Sequence, residues 1–87
     1  MLNDVFTKNY TFRSRKISNQ NILFASGFCY ELNDTGTFIW ENISDQSVNE
    51  IIEMLAKEYE VNPEDIKDDV INFINFLIEK KAIIKDE

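Results

Sequence analysis

The sequence predicts an α+β fold, winged-helix-like, in which a three-stranded antiparallel sheet is followed by three helices. Three observations carry this expectation. Alternating apolar and polar residues, punctuated by turn compositions, occupy about residues 10–32. Apolar stripes at helical spacing occupy about residues 33–81, and the last two of them open on strong capping sequences. The joins in the first part are short, and short joins between successive strands favour an antiparallel meander. With 87 residues, the chain reads as one domain, 1–87, large enough for one core and too small for a deep internal cavity.

Taken in order, "YTFRSRKIS" sets Tyr10, Phe12 and the small Ser14 against Thr11, Arg13 and Arg15, a period-2 pattern. "NQN", Asn19 to Asn21, has the composition of a turn. "NILFAS" is the next strand, Gly27 punctuates it, and "FCYEL" is the third. There Phe28, Tyr30 and Leu32 share one face, while Cys29 and Glu31 share the other. Asn33 or Asp34 caps the first helix, which carries Phe38, Ile39, Trp40 and Ile43; Gly36 weakens its first turn.

The second helix opens with Ser47 at the cap and Glu50 three residues on, a capping box. Val48, Ile51, Ile52, Leu55 and Tyr59 then form one stripe. In the third, Asn62 caps, Pro63 takes the first helical position, and acids fill the first turn. Its stripe is Ile66, Val70, Phe73, Ile74 and Leu77, with Lys80 and Lys81 at the C-terminal end. "AII", Ala82 to Ile84, leaves the helix and tucks back against the sheet or core. Phe76 lies about 80–120° from the middle of that stripe, so it either broadens the core or lines a groove beside it.

Composition excludes most chemistry. The chain has no histidine, which removes the usual general base, nucleophile activator and zinc ligand together. The single cysteine, Cys29, fits a reducing compartment and reads as a small buried hydrophobe in an alternating strand. The cluster "EDIKDD", Glu64 to Asp69, lacks the ligand spacing and glycine of a calcium loop, and two glycines cannot build a phosphate cradle. No cofactor, metal or catalytic residue is expected. The first residues have no apolar signal core, and the longest apolar run is Ile22 to Ala25, so a soluble, cytoplasmic protein without membrane contact is expected.

Charge is uneven within a net −7. Residues 1–30 hold Lys8, Arg13, Arg15 and Lys16 against Asp4 alone, whereas the rest holds five basic and fifteen acidic residues. Between residues 45 and 69 only Lys57 and Lys67 oppose nine acids, a surface that repels a nucleic-acid backbone. Arg13, Arg15 and Lys16 could act only as a basic wing. The remaining class is protein or peptide recognition. A three-stranded meander leaves its third strand as an edge, and such an edge either receives an extended peptide or is merely protected by charge, brevity or a dimer partner. The residues by themselves leave both open.

The run "YELNDTGTFIWENI", followed by "VNEIIEMLAKEYEVNPEDIKDDVINFINFLIEKKAI", resembles the PqqD family, the pyrroloquinoline quinone biosynthesis protein D type. Leu32, Asn33, Thr35, Gly36, Ile39 and Trp40 fit its first motif, and Val48, Glu50, Ile51, Val61, Pro63, Asp69, Val70, Phe73, Ile74 and Leu77 the later ones. The resemblance spans about residues 22–84, and Lys81 stands where a glycine often does. It implies a RiPP recognition element, a non-catalytic domain that binds the leader of a ribosomally made precursor peptide. The leader would add as a strand to Phe28–Leu32 and lie against the third helix. Carried onto this chain, the backbone of Phe28, Cys29, Tyr30, Glu31 and Leu32 would pair with it. Tyr30 or Cys29, with Asp69, Val70, Phe73 and Phe76, would meet its side chains; Asp69 and Glu31 would face a basic or polar residue. The implied partners are the leader and either a radical-SAM modifying enzyme or a leader peptidase of the lasso-peptide kind, with the chain itself a monomer or weak dimer. The rival readings are another pathway's protein-interaction module and a winged-helix DNA-binding protein.

Overall fold

The computed structural model describes residues 1–85. Its elements run β1 (Phe6–Lys8), β2 (Arg13–Ile17), β3 (Gln20–Ala25), β4 (Phe28–Leu32), α1 (Asp34–Asn42), α2 (Val48–Tyr59), α3 (Pro63–Glu79) and β5 (Ile83–Lys85). The expected α+β arrangement is present: β2, β3 and β4 form an antiparallel sheet in that order, and three helices follow.

The β2–β3 turn falls one residue earlier than the composition suggested. Ser18 and Asn19 both take positive φ, 50° and 67°, the signature of a primed two-residue turn that matches the twist of the flanking strands. Asn21 is therefore a strand residue opposite Leu32. The β3–β4 turn uses Gly27 at φ 73°, a conformation a side chain would disfavour. From these turns the register runs Arg13↔Phe24 to Ile17↔Gln20 on one side of β3, and Asn21↔Leu32 to Ala25↔Phe28 on the other.

A second ribbon was not foreseen. "AII" does turn back, but it pairs with the N-terminal segment: Phe6↔Lys85, Thr7↔Ile84 and Lys8↔Ile83 are antiparallel partners. The helix-to-strand turn runs through Lys81 in the left-handed region, φ 64°, with its N–H donating to the Ile78 carbonyl and that of Ala82 to the Leu77 carbonyl. Ahead of β1, the Val48 and Asn49 N–H groups donate to the carbonyls of Asp4 and Leu2, so the N-terminal segment satisfies donors that the start of α2 leaves free.

The helices begin as their sequences dictate. Asn33, not Asp34, caps α1, its side chain accepting from the Gly36 N–H at 2.7 Å. Ser47 and Glu50 close the capping box of α2 at 3.2 and 2.8 Å, and Asn62 caps α3 ahead of Pro63. Inside, Leu23 and Leu32 of the sheet meet Ile39 and Trp40 of α1, Ile51 and Leu55 of α2, and Val70, Ile74 and Leu77 of α3. Tyr59 departs from its expected stripe: it is 45% exposed, because α2 ends there, one residue before Glu60 turns left-handed at φ 55°.

Candidate functional site

Both outer strands of the three-stranded sheet have an open side, but only one has a groove beside it. In an antiparallel ladder, hydrogen-bonded and non-bonded pairs alternate. The two-residue turn makes Ala25↔Phe28 a bonded pair, so Leu23↔Tyr30 and Asn21↔Leu32 are bonded as well. Phe28, Tyr30 and Leu32 thus spend their main-chain groups inside the sheet. Cys29 and Glu31 point theirs outward, which leaves two N–H and two C=O groups open to an added strand. β2 presents Ser14 and Lys16 in the same way, yet all five of its residues are exposed and three are cationic, a guarded edge.

Side chains follow the same alternation. Tyr30 faces α3: its ring centroid lies 4.8 Å from that of Phe76 and 6.4 Å from that of Phe73. Phe28 lies 6.4 Å from Phe76, and Phe12, just before β2, lies 5.5 Å from Phe28. Phe12, Phe28, Tyr30, Phe73 and Phe76 form one continuous aromatic strip that runs from just before β2 across β4 to α3. Four of them are half-buried and Tyr30 is 38% exposed, so the strip is packed below and available above. Phe76 is accordingly a lining residue that also broadens the core, since it packs against the buried cluster.

Gly36 keeps one end of the strip in place. A methyl group there would lie 3.2 Å from the capping Asn33 Oδ1 and 3.3 Å from Phe73 Cζ, both tight, and in ordinary contact with Leu32 Cδ2 at 3.4 Å. The glycine that weakens the first turn of α1 is the residue that lets Phe73 lie over it. Phe12 and Gly36 border this candidate site, though pattern reading placed neither there; the period-2 pairing of Tyr10 with Phe12 was the available signal for the first. Two hollows of about 510 and 570 Å³ lie elsewhere, one beside β1 and β5 and one between Phe38 and Met54.

The remaining expected residues divide. Asp69 is exposed one helical turn before Phe73. Val70 is fully buried in the core and offers no surface to a ligand; Phe73 packs against the buried cluster to which Val70 belongs. Leu32 also turns its side chain into the core, at 4% exposure. Cys29 is exposed, contrary to its reading as a buried hydrophobe: its face of the sheet is covered by no helix, and it shares that face with Glu31. Of the two candidates for the groove-facing position, the geometry selects Tyr30. Among the described residues no three His, Cys, Asp or Glu side chains gather to hold a metal ion, and no helix is long and apolar enough to cross a membrane.

Fold and site together define an α+β scaffold with an open sheet edge beside an aromatic strip. The family model described as "Coenzyme PQQ synthesis protein D (PqqD)" matches residues 20–83, and the chain belongs to the PqqD family. Two solved structures share its fold. "Lasso peptide synthetase B1 complexed with the leader peptide" aligns with a TM-score of 0.78 at 24% identity, over 91% of this chain and 96% of that one. "TbiB1 in Complex with the TbiA(beta) Leader Peptide" aligns with a TM-score of 0.76 at 21% identity, over 88% and 93%. No curated protein matches the chain.

Proposed function

We propose that this protein binds the leader segment of a ribosomally made precursor peptide by adding it as an antiparallel strand to β4, and presents the rest of the precursor to a processing enzyme. The observation that carries this reading is the open main-chain row of Cys29 and Glu31 beside the aromatic strip. Main-chain pairing gives such complexes their affinity, and alternate side chains entering the groove give them selectivity. Leader residues opposite Phe28, Tyr30 and Leu32 point toward α3; those opposite Cys29 and Glu31 point to the outer face. Family membership supports the reading, as do structural relatives that are themselves leader-peptide complexes.

In this role the chain needs no catalytic residue of its own. Holding the leader raises the effective concentration of the attached core peptide at a partner enzyme. That partner is a radical-SAM enzyme or a leader peptidase; the likeness to a lasso peptide synthetase B1 supports a lasso-peptide system, for which the peptidase is the expected partner. The protein acts as a monomer or weak dimer, in the cytoplasm, without nucleic acid.

The test is an NMR titration of labelled protein with the leader of any small precursor peptide encoded beside it. The expected result is a set of shifts confined to residues 28–32 and to the Asp69–Phe73–Phe76–Lys80 face of α3. Shifts centred instead on α1 or on the outer face of β2 would refute the reading.

A further inference from the structure

The groove carries opposite charges at its two ends. The ring contacts order the residues along it: Phe28 lies by Phe76, Tyr30 lies between Phe76 and Phe73, and Phe73 reaches the Leu32 and Gly36 end. β4 and α3 are therefore antiparallel. Lys80 places its ammonium 5.9 Å from the Phe76 ring centroid, at the Phe28 end. Asp69 lies one turn beyond Phe73 at the Leu32 end, where Asp34 opens α1. Asp69 and Lys80 are exposed, and neither takes part in an ion pair among the described residues.

We infer that these two residues read the direction and charge order of the bound segment; this rests on the strand-addition reading above. A strand antiparallel to β4 runs parallel to α3, from the Leu32 end to the Phe28 end. Its N-terminal part therefore meets Asp69 and its C-terminal part meets Lys80. Eleven residues of helix span about 16 Å, which is about five residues of strand. Only alternate positions face the groove, so the two charges must be about four to six residues apart. The segment recognised is a basic residue, then apolar residues at alternate positions over the rings, then an acidic residue. In a parallel arrangement, or with the charges exchanged, both ends meet like charge.

Two blocked synthetic peptides decide the matter: Lys-Thr-Leu-Thr-Leu-Thr-Glu and its charge-exchanged twin Glu-Thr-Leu-Thr-Leu-Thr-Lys. They share composition, apolar spacing and strand propensity. Wild-type protein should bind the first roughly 3- to 10-fold more tightly, since two exposed pairs change from attraction to repulsion. The preference should shrink in high salt. The double variant Asp69→Lys, Lys80→Glu should prefer the twin, and because both side chains are exposed it should stay folded. Equal binding of both peptides, with shifts at β4, overturns the charge reading and leaves strand addition standing. A wild-type preference for the twin overturns the direction. Failure of both to shift any β4 amide overturns the charge reading, because charge order with two apolar residues is then not enough for docking; strand addition itself stands or falls on the leader titration.

Discussion

Proline placed at two adjacent positions of β4 separates docking from folding. The register directs the Cys29 N–H out of the sheet and the Tyr30 N–H toward Leu23. Cys29→Pro therefore deletes a donor that no other residue of the sheet uses, on the kind of edge where proline is tolerated. It leaves the incoming strand with an unpaired carbonyl, at a cost of about 1–3 kcal/mol, and the ring occupies the space that carbonyl needs. Leader affinity should fall by about 5- to 150-fold from the lost bond alone. Tyr30→Pro removes an internal ladder bond, so the same 1–3 kcal/mol comes off a fold whose total stability is about 4–13 kcal/mol at this size. Its melting temperature should drop by roughly 4–8 °C per kcal/mol lost. Cys29→Ser keeps the N–H and changes only an outward side chain, so it should bind as wild type does. Calorimetric titration and thermal unfolding on the three variants read both quantities. A folded Cys29→Pro protein that binds leader normally would refute docking on β4. Unfolding by Cys29→Pro with tolerance of Tyr30→Pro would refute the register on which the site is built.

The other predictions concern the strip, a cap and a turn. Phe76→Ala removes the ring nearest Tyr30, 4.8 Å away, and should weaken leader binding at least tenfold while costing about 1–3 kcal/mol of stability, because Phe76 is only half-buried. Lys81→Gly should raise stability by up to about 1 kcal/mol in denaturant unfolding, since φ 64° is a conformation glycine adopts freely, offset in part by glycine's greater freedom when unfolded. Glu50 accepts the Ser47 N–H and hydroxyl, which holds its pKa below the ordinary 4.5. Its stabilising effect is thus present above that value and lost as pH falls through the lowered one. Acid should shift the Ser47 amide resonance as the capping box opens, and Glu50→Gln should flatten that titration.

What the sequence made legible was whatever is encoded within one element. Ser47 with Glu50, and Asn62 with Pro63, mark helix starts by local chemistry, and both lie where expected. The three strands were legible because alternation and turns repeat over neighbouring residues. The β1–β5 ribbon was not, since it pairs two three-residue strands from opposite ends of the chain, each too short to show a period. The face of β4 that looks into the groove was undecided for the same reason: alternation separates Tyr30 from Cys29 but does not say on which side α3 packs. Val70 and Phe73 belong to one helical stripe, yet only Phe73 reaches the edge, and Cys29 is exposed because none of the described helices packs on its face of the sheet. Lys81 is a milder case. A left-handed residue without glycine is hard to see, although the resemblance marked that position as one where glycine often stands.

On the proposed strand addition, the shortness of β4 decides what kind of binder the protein is. Only Cys29 and Glu31 offer outward main-chain groups, so strand addition forms four hydrogen bonds with this edge, worth about 0.5–1.5 kcal/mol each, or about 2–6 kcal/mol together. Ordering a disordered peptide costs about 2–5 kcal/mol, which nearly cancels that gain before any loss of translational freedom is counted. An arbitrary extended peptide therefore does not stay bound. The surplus has to come from side chains over the five rings, at about 1.5–3 kcal/mol for each large apolar group fully buried, and from the charges at the groove ends. A longer edge would hold any strand; this one holds only a strand whose alternate residues fit the rings. Selectivity for one leader follows from the length of the strand as much as from the chemistry of Tyr30, Phe73 and Phe76.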